Sequence, residues 1–106
     1  MPQNAITLEV AQEWAERWNN DVTILRGIKA FKIPGQNIRA LMNQTGTVDI
    51  RAYLAVKSNN EPTVVVVGVD ANGNDMIDPA NGFHIYDFAE PCPNCCNNGP
   101  SHINRL

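Results

Sequence analysis

The residue pattern predicts an α+β domain: two helices packed on a three- to four-stranded, mainly antiparallel sheet, with an irregular C-terminal tail. Three observations carry that expectation. Residues 8–18 hold one apolar stripe at helical spacing. Residues 48–56 alternate apolar with polar side chains, and a short link joins them to the nearly unbroken apolar run at 63–69. Periodicity stops after Glu90. Helices gathered early and strands gathered late are the order of an α+β fold, not of repeating βαβ units.

Taken in order, Thr7 is suited to cap a helix, since its hydroxyl can accept from an orphan N–H of the first turn. Leu8, Ala11, Trp14, Ala15 and Trp18 then form the apolar stripe. Glu9 lies where the helix dipole favours negative charge, and Glu13 precedes Arg17 by one turn in the favourable order. Gly27 breaks any continuation. Residues 28–33 alternate weakly and read as a short strand ended by Pro34-Gly35. Residues 36–44 read as a second helix, with Ile38, Leu41 and Met42 on one side and Gly46 as a stop.

The alternation of Val48, Ile50, Ala52, Leu54 and Val56 with Asp49, Arg51, Tyr53 and Lys57 is that of a half-buried strand. Ser58-Asn59-Asn60-Glu61 is a turn. Residues 63–69 are apolar at almost every position, as in a central strand covered on both faces, and the short link makes the pair an antiparallel hairpin. Asn72-Gly73 marks a second tight turn. Met76-Ile77 begins a return strand that Asp78-Pro79-Ala80-Asn81-Gly82 interrupts, and residues 83–88 form the last strand candidate.

The chain of 106 residues fits one domain. Residues 1–90 form that domain, and residues 91–106 form a tail rich in Cys, Pro and Asn. With 43% hydrophobic and 18% charged residues the chain belongs among globular proteins, not disordered ones. The net charge of -3 carries no basic footprint for nucleic acid. Arg26, Lys29, Lys32 and Arg39 fall in a stretch without acids, and Asp70, Asp75, Asp78, Asp87 and Glu90 in one without bases. Two solvated surfaces facing each other, or a modest basic patch for an anionic partner, would each produce that asymmetry. The first residues show no secretory pattern, and the longest apolar run, 64–69, is too short to span a bilayer. The expectation is a cytoplasmic protein without a membrane partner.

Three segments could carry chemistry. Cys92, Cys95 and Cys96 lie together in Cys92-Pro93-Asn94-Cys95-Cys96. A Cys-x-x-Cys pair points two thiols at one spot, which suits a disulfide or half of a tetrahedral zinc site, and His102 could complete three sulfurs and one nitrogen. Zinc is thus the cofactor this set would hold. A thioredoxin-like role does not suit the context, because Pro91, Pro93 and Asn97-Asn98-Gly99-Pro100 replace the helix that would lower the thiol pKa. The plain alternative is a tail folded back with its cysteines as small apolar groups.

The second segment, Asp70-x-Asn72-x-Asn74, copies the first ligand positions of an EF-hand loop, with Asp78 as a further calcium ligand. Asp75 then stands where the loop needs glycine, Asn81 where it needs glutamate, and Pro79 breaks the helix that should follow. A hairpin turn is the competing reading. The third is His84, which alternation sets beside Tyr86, with Asp75 or Asp87 as acid–base partner. A packed or surface histidine is the competing reading, and an enzyme would need a concavity around it.

The strings Ile50-Arg51-Ala52-Tyr53-Leu54, Val66-Val67-Gly68-Val69-Asp70 with Asn72-Gly73-Asn74-Asp75, Ile85-Tyr86-Asp87-Phe88 and Pro91-Cys92-Pro93-Asn94-Cys95 resemble a group of small uncharacterised bacterial proteins. That group shares the order of helix-rich first half, Arg-x-Tyr strand, Val-Gly-Val-Asp strand, acidic turn and Tyr-Asp-Phe before a Cys-Pro-x-x-Cys tail. The likeness spans roughly residues 28–96 and implies no activity. It implies that the tail cysteines belong to the protein's plan, although Cys96 is an extra thiol. The function expected is a non-enzymatic binding or interaction module with a protein partner or a second copy of itself. The alternative is a zinc-binding or thiol-redox protein using the tail.

Overall fold

The computed structural model describes residues 4–20, 30–87 and 89–92. Strand β1 (Ala5–Ile6) leads into helix α1 (Leu8–Asn20). Strand β2 (Ala30–Lys32) and helix α2 (Gly35–Met42) follow. The long strands β3 (Asp49–Val56) and β4 (Pro62–Val69) form a hairpin. Then come β5 (Asp75–Met76), one turn of 3₁₀ helix (Pro79–Asn81), β6 (Ile85–Tyr86) and β7 (Glu90–Cys92).

Local chemistry explains the helices. Thr7 caps α1 as its hydroxyl accepts from Val10 N at 3.2 Å. Glu13 and Arg17 pair at 2.5 Å along its exposed side. Helix α2 starts at Gly35 behind Pro34, with no side-chain cap. It ends where Asn43 N donates to Arg39 O at 3.0 Å, and Gly46 turns the chain at φ +94.

The fold is α+β, with two helices on an antiparallel sheet of five strands in the order β1-β6-β4-β3, β5 also pairing β4. This exceeds the three or four strands expected, because β1 is a two-residue strand too short to show alternation. It pairs with β6 through Ala5 opposite Tyr86 and Ile6 opposite Ile85. A separate two-stranded sheet joins β2 to β7, setting Lys32 against Glu90 and Ala30 against Cys92. Lys32 Nζ lies 3.5 Å from Glu90 Oε1, so the basic and acidic stretches do meet there. Regular structure thus reaches two residues past the expected domain boundary at 90.

Alternation sorts the core into two faces. On one, Ala11 and Trp14 of α1 pack with Ala55, Val65, Val67, Ile85 and Ile6. On the other, Leu41 and Ala40 of α2 pack with Val66, Tyr86, Ile50 and Ala5. Successive β4 residues point to opposite faces, so the helices cover opposite sides of the sheet. Every β4 residue is buried, as its valine run predicts. Gly68 interrupts that run because the loop after α2 lies on it. A Cβ there would stand 3.0 Å from Gln44 Nε2 and from Thr47 Oγ1.

Strand β3 departs from simple half-burial. Ala55 and Val56 are both buried, while Ala52 and Leu54 of the apolar row are exposed. The reason is position. On the α2-facing side the packing reaches Ile50 and stops short of Ala52 and Leu54, while Ala55 on the other side is reached by the α1 cluster.

Candidate interaction surface

Strand β3 is the outer strand of the five-stranded sheet. It runs eight residues and pairs along its whole length with β4 on one side. At the closing end Lys57 N donates to Glu61 O at 2.8 Å. Backbone groups alternate in direction along an antiparallel strand, so Arg51, Tyr53 and Ala55 turn theirs to β4. Ile50, Ala52, Leu54 and Val56 turn theirs outward. Val56 O accepts from Arg17 Nη1 at 3.4 Å and Val56 is fully buried, so the open stretch of the edge runs from Ile50 to Leu54. Of the large apolar side chains left exposed, Val48, Tyr53 and Leu54 lie on or beside this strand, with Leu54 47% exposed. Among the described residues no strand pairs with this outer edge, and long apolar edges are what stable monomers usually blunt with charge, proline or a bulge.

The α1-facing side of β3 carries a polar cluster. Arg51 Nη1 and Tyr53 OH both donate to the Asp75 carboxylate, one to each oxygen. Arg51 Nη2 also reaches Gly73 O at 3.4 Å. The bond to Asp75, then partial burial, raises the Tyr53 pKa above its ordinary value. Tyr53 and Asp75 form the rim of a cleft of about 210 Å³ between α1 and the sheet, with Ala11, Ala15, Val67 and Ile85 among its walls. The small alanines of α1 leave that space.

The acidic turn is used structurally. Asp70 Oδ1 accepts from Asn72 N at 2.9 Å and Asn74 N at 3.0 Å. Gly73, at φ +81, closes the turn by donating to Asp70 O. Asp78 Oδ1 caps the 3₁₀ turn through Ala80 N, and its Oδ2 accepts from Asn81 Nδ2. Asp70 and Asp78 therefore each close their own turn, while Asn72 and Asn74 contribute backbone N–H to Asp70. Among the described residues no three His, Cys, Asp or Glu side chains gather as a metal site. Cys95, Cys96 and His102 lie outside the described residues, as does the Cys92 side chain. The backbone of Cys92 ends β7 opposite Ala30.

His84 does line a concavity, a cleft of about 220 Å³ shared with Ile6, Leu8, Glu9, Phe83 and Ile85. Its ring meets Tyr86 edge to face, 6.4 Å between centroids. The acids expected as its partners are engaged elsewhere: Asp75 is held by Arg51 and Tyr53, and Asp87 by Thr63 and Lys57.

Asp87 belongs to a buried network that the sequence does not reveal. Thr63 Oγ1 donates to Asp87 Oδ1 at 2.8 Å, and Lys57 Nζ approaches Oδ2 at 3.8 Å. Asn37 Nδ2 donates to Asp87 O at 2.6 Å, and Asn4 Nδ2 donates to Asn37 Oδ1 at 3.0 Å. Asn37 is buried in α2 together with Leu41, one turn further along the same helix. The network ties α2, the start of β1 and the ends of β3 and β4 together.

No protein-family model, curated protein or solved structure matches the chain. No helix among the described residues is long and apolar enough to cross a membrane.

Proposed function

We propose that this chain is a non-enzymatic interaction module that binds its partner along the outer edge of β3. The observation that carries the reading is the row of outward backbone groups at Ile50, Ala52 and Leu54, flanked by exposed Val48, Tyr53 and Leu54. An extended partner segment added there would satisfy the backbone groups through ladder bonds. The exposed apolar side chains would add area removed from water. Asp70, Asp75, Asp78 and Asp87 are engaged in holding turns and strands, which supports binding over catalysis.

A photo-reactive residue replacing Leu54 tests this in cells expressing the chain. A discrete cross-linked species is expected from position 54, either the chain with itself or with another protein. The same probe at Ala71, exposed on the second hairpin turn, should not give it. Identical patterns from both positions, or no product from position 54, would remove the reading.

A further inference from the structure

The partner class follows from the strand's own sequence, and this step rests on the β3 edge being the contact surface. We infer that β3 pairs with β3 of a second copy, antiparallel, about a two-fold axis at Tyr53. The strand is self-complementary in that register. Ile50 falls opposite Val56 of the second copy, Ala52 opposite Leu54, and Tyr53 opposite itself. The two Ala52–Leu54 pairs place outward backbone groups of both strands face to face, and the open ladder ends before Val56, which is buried with its carbonyl on Arg17. Side chains directly opposite in an antiparallel pair share a face, so exposed Ala52 and Leu54 cover each other on both sides of the axis.

Charge selects this register over its neighbours. With Tyr53 on the axis, Asp49 of one copy meets Lys57 of the other, twice, at an ammonium that already faces Asp87 of its own copy at 3.8 Å. Moving the axis to Leu54 sets Arg51 against Lys57. Moving it to Arg51 sets that residue against itself. Both place cations directly opposite, which destabilises a strand pair, a repulsion that the Arg51–Asp75 pair reduces but does not remove. Moving it to Ala52 leaves Asp49 against Ala55, with no charge matched. The result is one continuous sheet of ten strands across two copies, with β3 central in place of exposed.

Sedimentation equilibrium on the full chain, with three variants, tests the inference. The wild type is expected to dimerise reversibly. Leu54→Lys should raise the dimer dissociation constant by about tenfold or more, since apolar contact is lost on both sides of the axis. Asp49→Lys should weaken the dimer in low salt and less so in high salt, because the replacement sets a second cation against Lys57 of the other copy. Tyr53→Cys under a copper–phenanthroline oxidant should give a disulfide between the two copies of residue 53. Non-hydrogen-bonded cross-strand positions place Cα atoms about 4.5 Å apart, within disulfide reach. Peptide mass mapping separates that link from any made by the native cysteines, and circular dichroism shows that each variant folds. A chain that stays monomeric, or a dimer indifferent to Leu54→Lys and Asp49→Lys with no 53–53 link, overturns the inference. A monomer whose position 54 cross-links to a different protein overturns the second copy as partner and leaves the interaction reading standing.

Discussion

Asn60 and Gly73 hold the same place in two successive hairpins. In each, a turn closes from its fourth residue to its first, Asn60 N to Lys57 O and Gly73 N to Asp70 O, both at 3.0 Å. The strands then resume through Lys57 N to Glu61 O and Asp70 N to Asn74 O. This is the three-residue loop whose last residue must adopt the left-handed conformation. Gly73 meets that demand without steric cost at φ +81, whereas Asn60 meets it with a side chain at φ +66. Asparagine tolerates the region better than other residues with a Cβ. Asn60→Ala is therefore expected to lower unfolding free energy by about 1 kcal/mol, and Asn60→Gly to leave it unchanged or slightly raised. Denaturant titration of both variants checks the pair. Equal destabilisation by alanine and glycine would show that the asparagine side chain, not the backbone angle, matters. Both turns are legible in the sequence because Asn-Gly and Asn-Asn carry this conformational signal locally. The Asn37–Asp87 network is not, because its partners stand 50 residues apart and nothing local distinguishes Asn37 from a solvent-facing helix residue.

Strand β3 shows what alternation can and cannot convey. The period of two correctly separates Ile50, Ala52 and Leu54 from Arg51, Tyr53 and Ala55, and the antiparallel pairing with β4 follows from the short turn. It cannot say how far each helix reaches over the strand, which decides that Leu54 is open while Ala55 is closed. Nor does it reveal that Arg51 and Tyr53 converge on Asp75, since that contact needs β5 folded back beside β4. The cluster has a titration signature. Tyr53 donates to Asp75 only while protonated, so its folded pKa lies above the free value of 10.0. Burial raises Tyr86 as well. Over the range between free and folded values the folded chain retains protons that the unfolded chain has lost. The stabilisation is fully present below the free value and disappears as pH rises through the folded ones. Tyrosinate absorbance of the native protein should accordingly develop at higher pH than in denaturant, and Tyr53→Phe should remove the later-titrating contribution of that cluster. Coincident native and denatured titration curves would contradict it.

At the scale of the molecule, β4 is shared by both cores. Its Val65 and Val67 meet α1, while Val66 between them meets α2. A strand that serves two faces couples them: loss of packing on one side loosens the backbone that positions the other. The unbroken valines announce this shared strand in the sequence, as the apolar stripes announce both helices. The small β2–β7 sheet is not legible there, because two three-residue strands joined by pairing across most of the chain leave little periodicity. The coupling can be measured because Trp14 and Trp18, the two tryptophans, both lie on α1, opposite the face where Leu41 is fully buried. Leu41→Ala should cost about 2–5 kcal/mol through lost burial and the cavity left behind. If β4 unites the two faces, the tryptophan fluorescence and far-ultraviolet dichroism transitions should move to lower denaturant together and by the same amount. A tryptophan transition that stays at its wild-type midpoint while the dichroism shifts would mean that the two faces unfold independently, and that the central strand is a partition, not a link.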